Sequence, residues 1–326
     1  MIKDISQQII ALGPRFADGE ERTAKLVRDI LDRAKVNYID QPFPTSVPYP
    51  KKAELFVDGQ KMECRNVGMT SGTFTSKDAL ISSLFWGSGD FYYPQNINFN
   101  PHSPHTISMA TYYKNPALAI RRSDVTKILN AKSIRGETVV EPYTFTGHNF
   151  LMGNFTNPRT IMFTHYDCWE SGAVDNASGT AVLLDIVLNH AEVLKENLVV
   201  IAGNEEISYD EPIYWGKGYR AFQEKYSRIV ELAQQILLID GVGFSKQEWV
   251  TDPETVSLGI PLTNFDHLVQ KTRMLTGDMH KLMEFYHSND DTADLLNEES
   301  LADAQSIFLS AINSISISAP IGNPAT

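Results

Sequence analysis

Two cysteines in 326 residues, Cys64 and Cys168, are too few for a disulfide framework, and neither stands in a CxxC pair. A reducing compartment is therefore expected. Positive charge is scarce as well: 28 Lys and Arg face 40 Asp and Glu, a formal net charge of −12. That balance argues against nucleic-acid binding, which calls for a basic patch or stripe. No apolar run approaches the roughly 18 residues of a membrane span. The opening residues, MIKDISQQII, lack the basic segment and apolar core of a secretion signal. No internal repeat is visible. The rest is ordinary for a globular protein, with 42% apolar and 21% charged residues. The length suits one large domain with a smaller one attached.

The apolar pattern divides the chain. Ile2, Ile5, Ile9 and Ile10 have helical spacing and stop at Gly13-Pro14; a second helix is expected over 20–34 and a strand over 36–39. From about Pro42 the texture changes. Four prolines fall within 42–50, and 85–116 is crowded with Phe, Tyr, Asn, His and Pro. Short pieces such as 54–57 and 137–143 read as strands, 117–120 as another, and Ser123 as the cap of a helix reaching Asn130. This aromatic content is too high for disorder, so the region reads as a mostly β insertion. From Phe150, buried strands (159–165, 198–203, 236–240) alternate with helices (178–194, 217–234), and a final amphipathic helix covers 299–314. Continuous apolar strands between helices imply a largely parallel sheet buried on both faces.

Each of those three strands runs into groups that hold metals or protons. The first ends in His165-Tyr166-Asp167, with Asp175 ten residues beyond the histidine; the second in Asn204-Glu205-Glu206; the third in Asp240-Gly241. In open α/β sheets the carboxyl edge is where ligands bind, and a charge there is costly unless paired or coordinated. With His287, and with Asp167 set aside, the set offers two histidines and three carboxylates for metal, leaving one carboxylate over. That inventory suits two divalent ions, zinc foremost, with an open position for water. Read singly, each residue has a plainer account. A Glu-Glu pair is usually a solvated surface feature, Asp240 can cap a turn, and a lone histidine such as His287 is more often a satisfied packing residue.

The motifs HYD, GAVDNASG, NEE, LLIDGVG and YHSNDD appear in this order. In them residues 1–44 and 147–326 resemble the di-zinc aminopeptidase family, whose superfamily includes carboxypeptidase Q, glutaminyl cyclases and folate-hydrolase relatives. The resemblance implies a mixed, mostly parallel α/β sheet sandwiched by helices. It makes 45–146 an inserted lid or protease-associated-like domain, because 115–129 resembles that domain's end, although its Gly-Lys-Ile/Val strand is lacking. It further implies that His165 and Asp240 bind one ion, Glu206 and His287 the other, and Asp175 both. Glu205 becomes the general base and Asp167 the residue orienting His165. The ions expected are zinc, with cobalt or manganese as alternatives.

The expected reaction is removal of the N-terminal residue from a peptide or aminoacyl substrate. Glutaminyl cyclisation at a single zinc and a non-catalytic peptide-binding role are the competing expectations. Oligomeric state is left open. Asn176-Ala177-Ser178 is a nominal glycosylation sequon beside Asp175. A glycan there would block the site, so bacterial or archaeal cytoplasm is the expected setting.

Overall fold

In the computed structural model of the protein, residues 1–75, 80–82 and 93–314 are described. Helices α1 (Ile2–Ile10) and α2 (Asp18–Arg33) lead into a very long strand, β1 (Ile39–Val57). The insertion carries β2 (Gln60–Met62), β3 (Arg65–Asn66), β4 (Gly72–Phe74), β5 (Leu80–Ser82), β6 (Asn96–Phe99), β7 (Ala117–Ala119) and α3 (Val125–Asn130). A second long strand, β8 (Ile134–Gly153), returns to the main body. There follow β9 (Thr160–His165), α4 (Gly179–Asn189), β10 (Leu198–Ala202), α5 (Lys217–Leu232) and β11 (Gln235–Ile239). The chain ends with β12 (Glu248–Val250), α6 (Pro253–Gly259), β13 (Thr272–Thr276), α7 (Met279–Phe285) and α8 (Glu298–Asn313).

The main sheet has the order β12-β13-β11-β9-β10-β8-β1-β2, with β4 also paired to β8. Its centre is parallel: β9 pairs in parallel with β10 and β11, and β11 with β13. Along β9, β10 and β11 every residue is buried, and successive apolar side chains go to opposite cores. Met162, Val199, Ile201, Leu237 and Ile239 join the core beneath α1, α2, α4 and α8. Ile161, Phe163, Val200, Ile236 and Leu238 join the core beneath α5 and α6. A period of two with both faces covered makes these strands read as unbroken apolar runs. Each fully buried aliphatic side chain contributes about 1.5–3 kcal/mol relative to exposure.

β1 and β8 form a continuous antiparallel hairpin from Ile39↔Leu151 out to Val57↔Ile134, with one irregularity between Pro50 and Lys52. The same two strands thus belong to the main body of the sheet at one end and to the insertion at the other. Pro42, Pro44, Pro48 and Pro50 all sit at even positions of β1. Over this stretch β1 pairs on one side only, since β2 meets it at 55–57. A two-residue spacing keeps every missing N–H on one side of the strand, which an edge tolerates. A four-stranded sheet, β3-β7-β6-β5, completes the described part of the insertion, whose mostly β character agrees with its sequence pattern. The expectation over 85–92 falls outside the described residues.

Several boundaries differ from those expected. The strand predicted over 36–39 begins at Ile39, because β8 offers a partner only from Leu151 outward; Val36 and Tyr38 pack on the core instead. The helix predicted to 194 stops at Asn189, followed by a short 3-10 turn over Ala191–Lys195. Ser123 does not cap α3. A turn over Arg122–Asp124 precedes it, and Asp124 spends its carboxylate on Arg121 and Lys127. Among the described residues, no helix is long and apolar enough to cross a membrane.

Candidate metal centre

Parallel strands point their carboxyl ends the same way, so His165 closing β9, the Gly203–Glu206 turn after β10 and Asp240 after β11 all reach one edge. The loop 166–178 brings Asp175 over that edge, and the turn after α7 brings His287. All seven residues singled out in the sequence meet in this one cluster. His165 Nε2 lies 3.4 Å from Asp175 Oδ1 and 3.5 Å from Asp240 Oδ2. On the opposite side, His287 Nε2 lies 3.4 Å from Asp175 Oδ2 and 2.7 Å from Glu206 Oε2. Asp175 therefore faces one histidine with each oxygen.

These donors converge without bonding to one another. His287 Nε2 and Glu206 Oε1 are buried and have no hydrogen-bond partner, despite the short His287–Glu206 approach. His165, Asp175 and Glu206 each place a ligand atom within 4.8 Å of the other two. Unpaired buried donors aimed at a common point fit a divalent cation, the usual resolution of such a cost. The Nδ1–H of His287 points to the carbonyl of Met109, 3.2 Å away, which leaves Nε2 as the lone-pair nitrogen facing the carboxylates. Tyr286 stacks on the same imidazole with ring centroids 3.8 Å apart.

The electrostatics agree. Burial, then its acidic neighbours Glu206, Asp167 and Asp240, push Glu205 well above the ordinary carboxylate range, with His165 opposing. Burial followed by Asp175 raises Asp240, and burial carries Glu206 to about 7 against the pull of His287. Asp175 goes the other way: burial would raise it, but His165 and His287 together hold it low. A centre with this surplus of carboxylate is relieved by positive charge. Among the described residues, nothing hydrogen-bonds or ion-pairs with the Glu205 carboxylate.

The supporting residues were only partly legible. Asp167 was expected to orient His165, and it stands 3.4 Å from His165 Nδ1, which makes no hydrogen bond. Its oxygens accept the backbone N–H groups of Glu205 and Glu206, both at 2.9 Å. The motif aspartate thus shapes the turn carrying the Glu pair. Asp291 does the same for Asp175, accepting from the backbone N–H of Val174 at 2.7 Å and of Asp175 at 3.0 Å. Asn176, joined to Asp175 by a cis peptide, donates to Thr164 and to the Ile239 carbonyl and accepts from Gly179 N–H. Sequence reasoning missed Arg15. Fully buried, it donates to the carbonyls of Tyr166, Ser171 and Gly172 and thereby holds the loop between His165 and Asp175. Its one signal was a charged residue just after the helix-stopping Gly13-Pro14. In that loop Gly172 has a φ of +52°, and a Cβ there would lie 2.4 Å from the Cys168 Cβ; glycine alone fits without strain.

Residues 151–255 match the family model described as peptidase family M28. The family resemblance is to M28. The matched M28 segment contains His165, Asp167, Asp175, Glu205, Glu206 and Asp240; His287 lies beyond it and joins through the fold. No curated protein sequence matches the chain. Solved structures of similar fold include BSAP, a zinc aminopeptidase from Bacillus subtilis (16% identity, TM-score 0.67, covering 95% of this chain and 93% of that one). An aminopeptidase from Aneurinibacillus sp. strain AM-1 is also similar (16% identity, TM-score 0.62, covering 95% and 92%). So is the Porphyromonas gingivalis glutaminyl cyclase, more distantly (10% identity, TM-score 0.50, 96% of each chain). At these identities the likeness is one of fold: a mixed α/β sheet between helices, as the motifs implied. Function has to be argued from the site.

Proposed function

We propose that this protein is a metal-dependent aminopeptidase that removes the N-terminal residue of peptides. His165 and Asp240 would hold one divalent ion, Glu206 and His287 a second, and Asp175 would serve both. The supporting observation is the placement of Asp175, whose Oδ1 and Oδ2 each lie 3.4 Å from a different histidine Nε2. Zinc suits the mixed imidazole and carboxylate donors, with cobalt or manganese as alternatives. When bound, such ions polarise a scissile carbonyl and make water a nucleophile near neutral pH.

The protein's own groups supply the rest. Glu205, whose buried carboxylate has no partner among the described residues and lies near His165, Glu206 and Asp240, takes the proton from the attacking water and returns it to the leaving amine. Asp167 fixes the Glu205–Glu206 backbone, so the base and one ligand are set by the same carboxylate. Asp291 and Arg15 hold the loop that presents Asp175.

The test is metal analysis of the purified protein, run beside a panel of aminoacyl p-nitroanilides with chelator controls. Two ions per chain and chelator-sensitive release of p-nitroaniline are expected. One ion per chain with pyroglutamate formation from glutaminyl peptides would replace this reading with cyclisation. Absence of both activities in metal-loaded protein would leave a binding role.

A further inference from the structure

The turn that presents His287 is closed by donors from the insertion. α7 ends at Phe285, and the last carbonyls of a helix have no partner within it. Asn100, just beyond β6, supplies one of the missing donors: its Nδ2 donates to the Met283 carbonyl and to Ser108 Oγ, both at 3.0 Å. Ser108 extends the chain of bonds, its hydroxyl donating to the Tyr286 carbonyl at 2.6 Å. Next to it, the Met109 N–H donates to the His287 carbonyl at 2.9 Å. Asn100 and Ser108 are both buried, so water cannot readily take their place.

His287 needs this support. Its φ of +48° lies in the left-handed region, which a residue with a Cβ occupies only when its surroundings hold it there. Met109 grips it twice, through the N–H just named and through the carbonyl that faces Nδ1 at 3.2 Å. The ring is thereby turned so that Nε2 meets Glu206 and Asp175. The other four ligand candidates are held from the main body. His165 closes β9 beside β10, and the Asp240 N–H donates to the Leu275 carbonyl at 3.0 Å. Asp291 accepts the N–H of Asp175, and Asp167 that of Glu206. The two halves of the centre thus differ in what builds them.

We propose that the insertion assembles the Glu206–His287 metal position, with Asn100 and Ser108 as positioning residues that act through Met109 and the end of α7 on His287. Occupancy of that position depends on them, whereas occupancy of the His165–Asp240 position does not. Where the insertion is displaced, the first empties and the second stays filled. This rests on the two-ion reading above and gives the 45–146 region a part in it.

The test is calorimetric titration of the chelator-stripped full chain with zinc, in which His287→Ala identifies the step that belongs to Glu206 and His287. In Asn100→Ala and Ser108→Ala that step should weaken about tenfold or more, the usual cost of losing a group that orients a ligand. The other step should be unchanged. Adding Ser108→Ala to His287→Ala should change nothing further, because the hydroxyl acts through the imidazole. Ser108→Ala removes one hydroxyl and keeps the backbone, so it decides the matter if Asn100→Ala does not fold. The proposal is overturned if the variants bind zinc as the wild type does, or if both steps weaken alike. It is equally overturned if Ser108→Ala still weakens zinc binding in the His287→Ala background. A wild type that takes a single ion would instead sink the two-ion reading. The proposal is then judged on the stripped protein by nitrogen NMR of the imidazoles. His287 should keep its proton on Nδ1 in the wild type and lose that preference in Ser108→Ala; an unaltered tautomer would overturn it.

Discussion

Asp175 and Glu205 carry the sharpest predictions at the scale of single residues. Because each Asp175 oxygen faces a different histidine, Asp175→Asn should cost both metals, whereas His287→Ala should cost mainly one; metal analysis by mass spectrometry separates the two outcomes. Glu205→Gln should keep its metals and lose about 10²–10⁴ in kcat, the usual contribution of a proton-transferring group. Retention of both metals with near-normal turnover would remove Glu205 from the mechanism. A third residue lies outside the chemistry. Glu20 is buried; that burial, then the nearby charge of Asp167, raises its pKa well above its ordinary 4.5, with Tyr166 and the His148 backbone opposing. The folded state therefore holds its proton more tightly than the unfolded chain does. Its contribution to stability is complete below about 4.5 and is lost as the pH rises through the higher folded value. Glu20→Gln should flatten that part of the fall in stability, read as denaturation midpoints from pH 4 to 9. A variant with the wild-type slope would refute the assignment.

At the scale of elements, the site depends on how closely two turns approach. Gly218, in the first turn of α5, leaves no room for a side chain: a Cβ would lie 2.1 Å from the Gly203 carbonyl oxygen and 3.0 Å from Asn149 Oδ1. Backbone has to move to admit even a methyl group, and Gly203 stands two residues before Glu205. Gly218→Ala should therefore destabilise the protein by about 1–3 kcal/mol in urea titration and lower peptidase activity through the displaced Glu205–Glu206 turn. Unchanged stability would mean that α5 can slide freely. The strand ends were legible here because a parallel sheet aligns them. The second layer was not: Asp291, Arg15 and the Met109 carbonyl come from three separate segments, and each contact has a backbone atom on one side, which leaves no pattern in a sequence.

At the scale of the molecule, a surplus of carboxylate collected at one sheet edge couples metal binding to folding. Ions that bind the folded state alone add about 4 kcal/mol at a free concentration a thousand times Kd. Chelation should thus lower Tm by several degrees and added zinc should restore it. An unchanged Tm after verified metal loss would show that the donors are satisfied without a cation. The insertion takes part in this centre and is more than an appendage. Met109 receives the His287 imidazole N–H, Asn100 donates to the Met283 carbonyl and Ser108 to that of Tyr286. The boundary expected near 44 and 146 runs through the middle of β1 and β8, two strands shared by both parts.

By itself the sequence determined the alternation of buried strands and helices, the residues at the strand ends and the family they resemble. All of these depend on period, burial and order along the chain, which local pattern records. It did not determine how Asp175 is held between two histidines, what steadies its loop, or that Arg65 of the insertion pairs with Glu170. Those follow from contacts between residues a hundred or more positions apart, such as Arg15 with Gly172 and Glu170 with Arg65. Only the folded sheet brings them within reach of one another, since distance in space is set by packing rather than by separation along the chain.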